Sequence, residues 1–419
     1  MIEEHKRIDA GLQSSHNALS LKSSDAYDLP KSFFFESEDS SYKPRAVLVD
    51  TDPDLAPSVV RSFSGSPISF DAESVLSYKQ DCRANYFDGF SQGKSIAQDV
   101  VDQLLVHADR SDSVGGFFVY RSLGGGTGSG VGTLILEKIK DTFGPKSVVF
   151  EPLVFPSTDS STSTVEPYNC MFGLSSSRQL VSLSLMLDNQ AAFKMCRNRP
   201  YSVLNPSFSD VNNLISTAVS GCTSTLRFPS TLNASLDQIV MNLVPEQTFR
   251  YPTVSLCPSK SVVEGIASLF EPKNFLCDSP NLKLNRYFAA SLVIRTTAVP
   301  ADSIMAQVQR SLSSLKQCTS LRPSPVRFMP WIPNSFKIGL IHHNASSFML
   351  LGNTTAVRSL FLREYKKFIS LYYHRAYVWQ FLEAGGEIDN FIFARDNILD
   401  LLGQYEQSLT AAASEETNP

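Results

Sequence analysis

With 419 residues the chain is long enough for a sizeable buried core and about two or three domains. A net charge of −4 gives no basic field to attract nucleic acid or an anionic membrane surface. The cysteines (Cys82, Cys170, Cys196, Cys222, Cys257, Cys277 and Cys318) are odd in number and form no C-x-x-C pair, which argues against a disulfide framework or a zinc site and suits a reducing compartment. No signal peptide or membrane-spanning apolar run is legible.

In chain order, Ser14 to Asp28 is serine-rich and polar, and reads as an exposed loop. Arg45-Ala46-Val47-Leu48-Val49-Asp50 reads as a strand, ended by Thr51-Asp52-Pro53. Asp50 and Asp52 suit Mg²⁺, a hard ion that takes carboxylates together with phosphate oxygens. The competing reading is a plain acidic turn closed by Pro53. Ala84-Asn85-Tyr86 leads into a helix whose buried stripe is Ile96, Val100, Leu104 and Leu105.

Gly116-Phe117-Phe118-Val119-Tyr120 reads as a buried strand, and Val131, Leu134, Ile135 and Ile139 follow a helical period. Between them lies Leu123-Gly124-Gly125-Gly126-Thr127-Gly128-Ser129-Gly130, a strand-to-helix turn carrying five glycines. Without Cβ atoms an anion can approach the backbone, where N–H groups converge at the positive end of a helix. The run reads as a phosphate cradle. It is not a Walker A loop, since the next lysine is Lys138, and it fits no G-x-G-x-x-G register. Val148 to Phe155 reads as a strand, and Asp159 to Thr164 as a serine/threonine-rich loop. A helix is predicted from about Ser209 as N-cap, with Val211, Ile215, Ala218 and Cys222 as its apolar stripe. Further strands are predicted at Phe288–Arg295, Val326–Met329 and Ser335–Leu340, and helices at Thr355–Tyr373 and Asp389–Gln407.

The glycine run resembles the signature loop of the tubulin superfamily, where Gly-Gly-Gly-Thr-Gly-Ser-Gly holds the phosphates of GTP. Arg45-Ala46-Val47 with Asp50 and Asp52, Val165-Glu166-Pro167-Tyr168-Asn169, Leu187-Asp188-Asn189, Leu226-Arg227-Phe228 and Asn242-Leu243-Val244-Pro245 are also similar to that family's text. The resemblance implies an α/β fold: a tubulin-type GTP-binding doubly wound sheet, a long central helix, then a smaller α+β domain and C-terminal helices. The expected boundaries are 1–207, 208–228, 229–350 and 351–419. It implies GTP or GDP with Mg²⁺ as cofactors. Ser122, Gly124, Gly125, Gly126, Thr127, Gly128 and Asn85 would face the phosphates, and Thr162 and Glu166 the sugar. Asn189, Phe208 and Asn212 would hold the base, and Asp50 and Asp52 the metal. Arg83 is a candidate for the terminal phosphate. Glu4-His5 resembles the end of the family's first helix, so its first strand and G-Q-C-G-N-Q loop are missing ahead of it, as in an incomplete gene model.

Four local texts favour a γ-type member: Gly89–Gly93, Ala108–Ser113, Asn205–Ser209 and Arg327–Trp331. Ser235 and Gln238 stand where α-tubulin has the Asp and Glu that activate hydrolysis on the neighbouring subunit, and neither can act as a general base. The γ-type reading implies microtubule nucleation at organising centres, in the cytoplasm and cytoskeleton, with at most slow GTPase activity and no catalytic set of its own. Its partners would be α/β-tubulin dimers, γ-tubulin complex proteins and neighbours in a ring, with no nucleic acid and no membrane insertion. The alternatives are a δ/ε-like centriolar or basal-body tubulin, a divergent α- or β-tubulin of the microtubule lattice, or an orphan with impaired GTP binding.

Overall fold

The computed structural model describes residues 32–36, 42–64, 68–79, 82, 84–159, 161, 163–228, 230, 232, 235–259, 261–278, 285–296, 301–316, 326–332, 335–342 and 347–417. Strands β1 (Phe34–Glu36) and β2 (Tyr42–Pro44) pair antiparallel. Strand β3 (Leu48–Asp50) pairs in parallel with β4 (Val75–Ser77) after helix α1 (Leu55–Ser62). Helix α2 (Tyr86–Asp109) follows, then β5 (Phe117–Phe118) and β6 (Arg121–Ser122). The strand expected over 116–120 is therefore two short ladders, both paired with β7 (Val149–Phe155). Between Thr127 and Val131 the chain makes one widened helical turn, which runs on into α3 (Gly132–Phe143).

The parallel array continues through α4 (Glu166–Ser177), β8 (Leu183–Asp188) and α5 (Asn189–Arg197). A long helical segment follows as α6 (Phe208–Cys222) and α7 (Ser224–Arg227). Its N-cap is Ser207, two residues before the predicted Ser209. The Ser207 side chain accepts the Asp210 N–H, and the Asp210 carboxylate accepts the Ser207 N–H at 2.8 Å, a closed capping box. Val211, Leu214, Ala218 and Cys222 are buried, while Ile215 is only half-buried.

Helix α8 (Leu236–Leu243) precedes β9 (Thr253–Cys257), and α9 (Val262–Leu269) follows it. Strand β10 (Tyr287–Thr296), helix α10 (Ala301–Lys316), β11 (Phe336–His342) and β12 (Ser347–Thr354) complete the strands. Val326–Met329 forms no ladder; Phe328 makes an isolated bridge to Tyr287. One eight-stranded sheet results, ordered β11-β10-β12-β9-β8-β7-β5, with β6 also on β7. It is parallel from β5 to β9 and mixed beyond, because β12 runs antiparallel to both β9 and β10. Strand β8 meets β9 at the Met186–Thr253 register pair, and the Ser184 and Met186 N–H groups donate to Arg250 O (2.9 Å) and Pro252 O (2.8 Å) just ahead of it.

The C-terminal helices α11 (Arg358–Tyr373), α12 (Val378–Glu383) and α13 (Ile388–Thr417) cover α4. The predicted last helix is longer than read, running to Thr417. Tyr168 and Phe172 of α4 interlock with Phe368, Phe381 and Phe391, and the Phe172–Phe391 ring centroids lie 4.9 Å apart. Edge-to-face aromatic packing of this kind adds to simple area burial. It fixes α4, and with it Glu166 at its first turn. Among the described residues no helix is long and apolar enough to cross a membrane, and the six cysteines there are buried and unpaired with one another.

Candidate nucleotide-binding site

The glycine run lies between the end of β6 and the start of α3, as its flanks predict. Two carbonyls of the run are held from inside. Buried Asn169 donates through Nδ2 to Gly124 O at 2.8 Å and to Ala84 O at 2.6 Å. Ser129 donates to Gly125 O through both its N–H (3.1 Å) and its hydroxyl (2.7 Å). In a trans peptide the carbonyl and the following N–H point opposite ways. The N–H groups of Gly125 and Gly126 are therefore turned away from Asn169 and Ser129. Those of Thr127 and Gly128, ahead of the Ser129 N–H, stand at the start of the helix, where intrahelical acceptors run out. Together they make an anion cradle at a helix N-terminus.

The glycines themselves serve mostly another purpose. A Cβ on Gly126 would stand 2.9 Å from the Asn85 backbone nitrogen, and one on Gly128 would run into the Ser122 carbonyl. A Cβ on Gly130 would sit 2.7 Å from Phe90 N. These three let the turn pack against α2 and β6. A Cβ on Gly124 would make ordinary contact with Glu166 Cγ at 3.5 Å, and one on Gly125 would meet nothing within 4 Å. Gly125 is the glycine whose bareness serves the open side.

The other predicted residues fall into place unevenly. Ser122 is exposed, and its hydroxyl accepts the Gly124 N–H at 3.5 Å. Asn85 is buried and its amide is spent within the fold: Oδ1 caps α2 through Phe87 N–H at 2.9 Å, and Nδ2 donates to Gln380 O at 3.1 Å. Its place in the site is a backbone one, against Gly126. Glu166 is buried beside Gly124 and accepts from Ser161 Oγ at 2.8 Å and Ser163 N at 3.3 Å, which anchors the serine-rich loop. Thr158 Oγ1 reaches Gln190 Oε1 at 3.1 Å, so the same loop meets the start of α5, where Asn189 is half-buried. Phe193 of α5 meets Phe208 edge-on at 5.4 Å. Phe208 is 50% exposed, so its ring is not spent in the core, and exposed Asn212 lies one turn along the same face. Separate contacts at Glu166, Thr158 and Phe193 thus link the glycine run, the serine-rich stretch and the residues expected at the base. Thr162, Arg83 and the Glu4-His5 segment lie outside the described residues.

Asp50 and Asp52 make the acidic turn of the competing reading, and it lies at the cradle. Each Oδ1 accepts an amide two residues on, from Asp52 N (3.0 Å) and Asp54 N (2.9 Å). Between them Thr51 Oγ1 lies 2.6 Å from Thr127 Oγ1, which ties the turn to the glycine run. Among the described residues no group of three or more His, Cys, Asp or Glu is placed to hold a metal ion. The turn's two carboxylates beside the glycine run are of the chemistry that Mg²⁺ takes in company with phosphate oxygens.

Residues 9–197 match the profile of the Tubulin/FtsZ family GTPase domain, and residues 251–365 match the tubulin C-terminal domain. The chain is 33% identical over 400 residues to the tubulin alpha-1 chain of Saccharomyces cerevisiae, covering 89% of this chain and 85% of that one. It belongs to the tubulin family. It is also 33% identical to the tubulin alpha-2 chain of Emericella nidulans, over 90% of this chain and 85% of that one. To the tubulin alpha chain of Dictyostelium discoideum it is 32% identical over 94% and 90%.

Sequence reasoning gave no role to several residues packed beneath the candidate site. Asn169 stood in a quoted motif without a role. Arg121 and Glu151, widely separated in sequence, form a 2.6 Å ion pair beneath the run. Asp188 grips Arg363 of α11, 175 positions away. Neither ion pair has a local signal, because each is made by the folding of distant strands and helices.

Proposed function

We propose that this tubulin-family protein binds GTP and GDP with Mg²⁺ and acts as a divergent α-like subunit of tubulin polymers. The observation that carries nucleotide binding is the clamped cradle, with Gly124 and Gly125 carbonyls held inward and the following amides free to face an anion. When bound, the triphosphate supplies a hydrolysable bond and ligands for the metal. The chain's own residues orient it: Glu166 at the sugar, Phe208 against the base, and the Asn189 and Asn212 amides on the guanine edge, each offering a donor and an acceptor. Competition binding should show GTP and GDP preferred over ATP. Equal affinity would remove the roles given to Asn189 and Asn212.

The α-like class is supported by relatives named as alpha chains. A γ-type nucleating role is the second reading, favoured by helix α8. Ser235 is the N-cap of that helix, its Oγ accepting the Gln238 N–H at 3.4 Å, so this position is committed to the cap. Asp237 and Gln238 are exposed on its first turn, without the acid pair that would activate a neighbour's nucleotide. Either way the subunit is expected to leave its partner's GTP slowly hydrolysed. Tagged protein mixed with α/β dimers separates the readings. Labelling along the polymer wall is expected for the α-like subunit. Labelling confined to ends and organising centres, with a shortened nucleation lag, would move it to the γ-type.

A further inference from the structure

We infer that Arg121, paired with Glu151, is a positioning residue that sets the phosphate cradle from beneath; this rests on the nucleotide-binding reading above. Arg121 Nε donates to Glu151 Oε1 at 2.6 Å, and both side chains are shut from water, at 2% and 0% exposure. Glu151 Oε2 accepts the Ser184 hydroxyl at 2.6 Å, so strands β6, β7 and β8 are tied through one carboxylate. The rest of the guanidinium is aimed at the turn. Nη1 lies 3.1 Å from Gly128 O, 3.3 Å from Ser129 O and 3.2 Å from Thr133 Oγ1, and Nη2 lies 3.2 Å from Gly173 O.

Burying an ion pair is costly, and an apolar pair of similar size often serves stability as well or better. Stability alone is therefore a weak reason for this arrangement. A planar five-donor fork can do what an apolar group cannot, which is to hold several carbonyls in fixed directions at once. Two of the carbonyls it holds, Gly128 O and Ser129 O, belong to the widened turn, and the third, Gly173 O, belongs to α4, so the fork ties the turn to that helix. Space is left for it: a Cβ on Gly132 would stand 2.9 Å from Arg121 Cδ. Because Glu151 balances the charge, the contribution to an anion above is geometric rather than a net field. The Gly128 carbonyl shares its peptide with the Ser129 N–H that holds Gly125 O, so fixing it fixes the Gly125–Gly126 peptide and preorganises the Gly126 amide ahead of the ligand.

The test compares GTP with guanosine, which shares the base and sugar but lacks phosphates. In Arg121→Met/Glu151→Leu/Ser184→Ala the polar triad becomes apolar, a change compatible with folding. We expect a folded protein whose GTP affinity falls by about tenfold to a hundredfold, the scale of a disturbed supporting shell. Guanosine affinity should be unchanged. Arg121→Lys, which keeps the charge but not the fork, should shift the GTP-to-guanosine ratio the same way and decides the matter if the triple variant does not fold. A folded variant in which both ligands weaken together, or neither does, overturns the inference. An unaltered protein that binds neither ligand overturns the nucleotide reading itself, and this inference with it.

Discussion

A Gly128→Val protein is expected to lose GTP binding, and to lose it because the turn itself is displaced. The new Cβ would run into the Ser122 carbonyl, which belongs to a ladder strand and cannot step aside. Overpacking a rigid site costs about 1–3 kcal/mol or more. Both the melting temperature and the nucleotide affinity should therefore fall. Gly126→Val should behave alike, against the Asn85 backbone. Gly125→Ala separates fold from ligand. Its Cβ points into open space and its φ is not in the left-handed range, so the protein should melt as the unaltered one does. Its GTP affinity should nonetheless weaken by about 1–3 kcal/mol, the scale of a lost bond to a charged group. Differential scanning fluorimetry beside a fluorescent-nucleotide titration reads both. Normal GTP binding by Gly125→Ala would mean that the anion sits elsewhere.

This contrast also marks where sequence reading reaches its limit. The glycine spacing marked this turn as the candidate cradle, because a strand period and a helix period bracket it within a few residues. It could not say which glycines face the ligand, since that depends on α2 and β6 arriving against the turn. The serine-rich loop, Glu166 and the half-exposed Phe208 were legible as motif text. Asn85 was legible as a motif residue too, but its side chain is used to cap α2 and to hold Gln380 O. The N-cap of α6 was misplaced by two residues because Ser207 and Ser209 both precede the apolar stripe. Only the Asp210 side chain reaching back to Ser207 decides between them. The strands β8, β9 and β12 were not marked out, because they are buried on both faces and lack alternation, as central strands do.

Arg363→Met should be among the most damaging single changes away from the cradle, and its effect should reach the base. Arg363 binds Asp188 through two bonds, Nη1 to Oδ2 at 2.9 Å and Nη2 to Oδ1 at 3.0 Å, and its Nε reaches Glu364 at 2.8 Å. Burial works against its cation, but the bonds to Asp188 and the nearby Glu364 outweigh that and raise its pKa above the usual arginine value. The Asp188 side chain is fully shut from water. Removing the arginine leaves that carboxylate with two amide donors, Gln190 N at 3.1 Å and Asp278 N at 3.3 Å. Breaking a buried pair from one side costs about 3–5 kcal/mol, because the remaining charge is uncompensated. The midpoint of urea unfolding should fall accordingly, with an unchanged slope if the transition stays two-state. Asp188 also caps α5, the helix that begins with Asn189. A displaced cap moves the residue assigned to the guanine edge, so GTP preference over ATP should narrow in the folded fraction. Arg363→Lys should recover part of the stability, as a point charge can meet one carboxylate oxygen but not both in a fork. A variant with unaltered stability and unaltered base preference would show that the α11 contact neither supports the fold nor places Asn189.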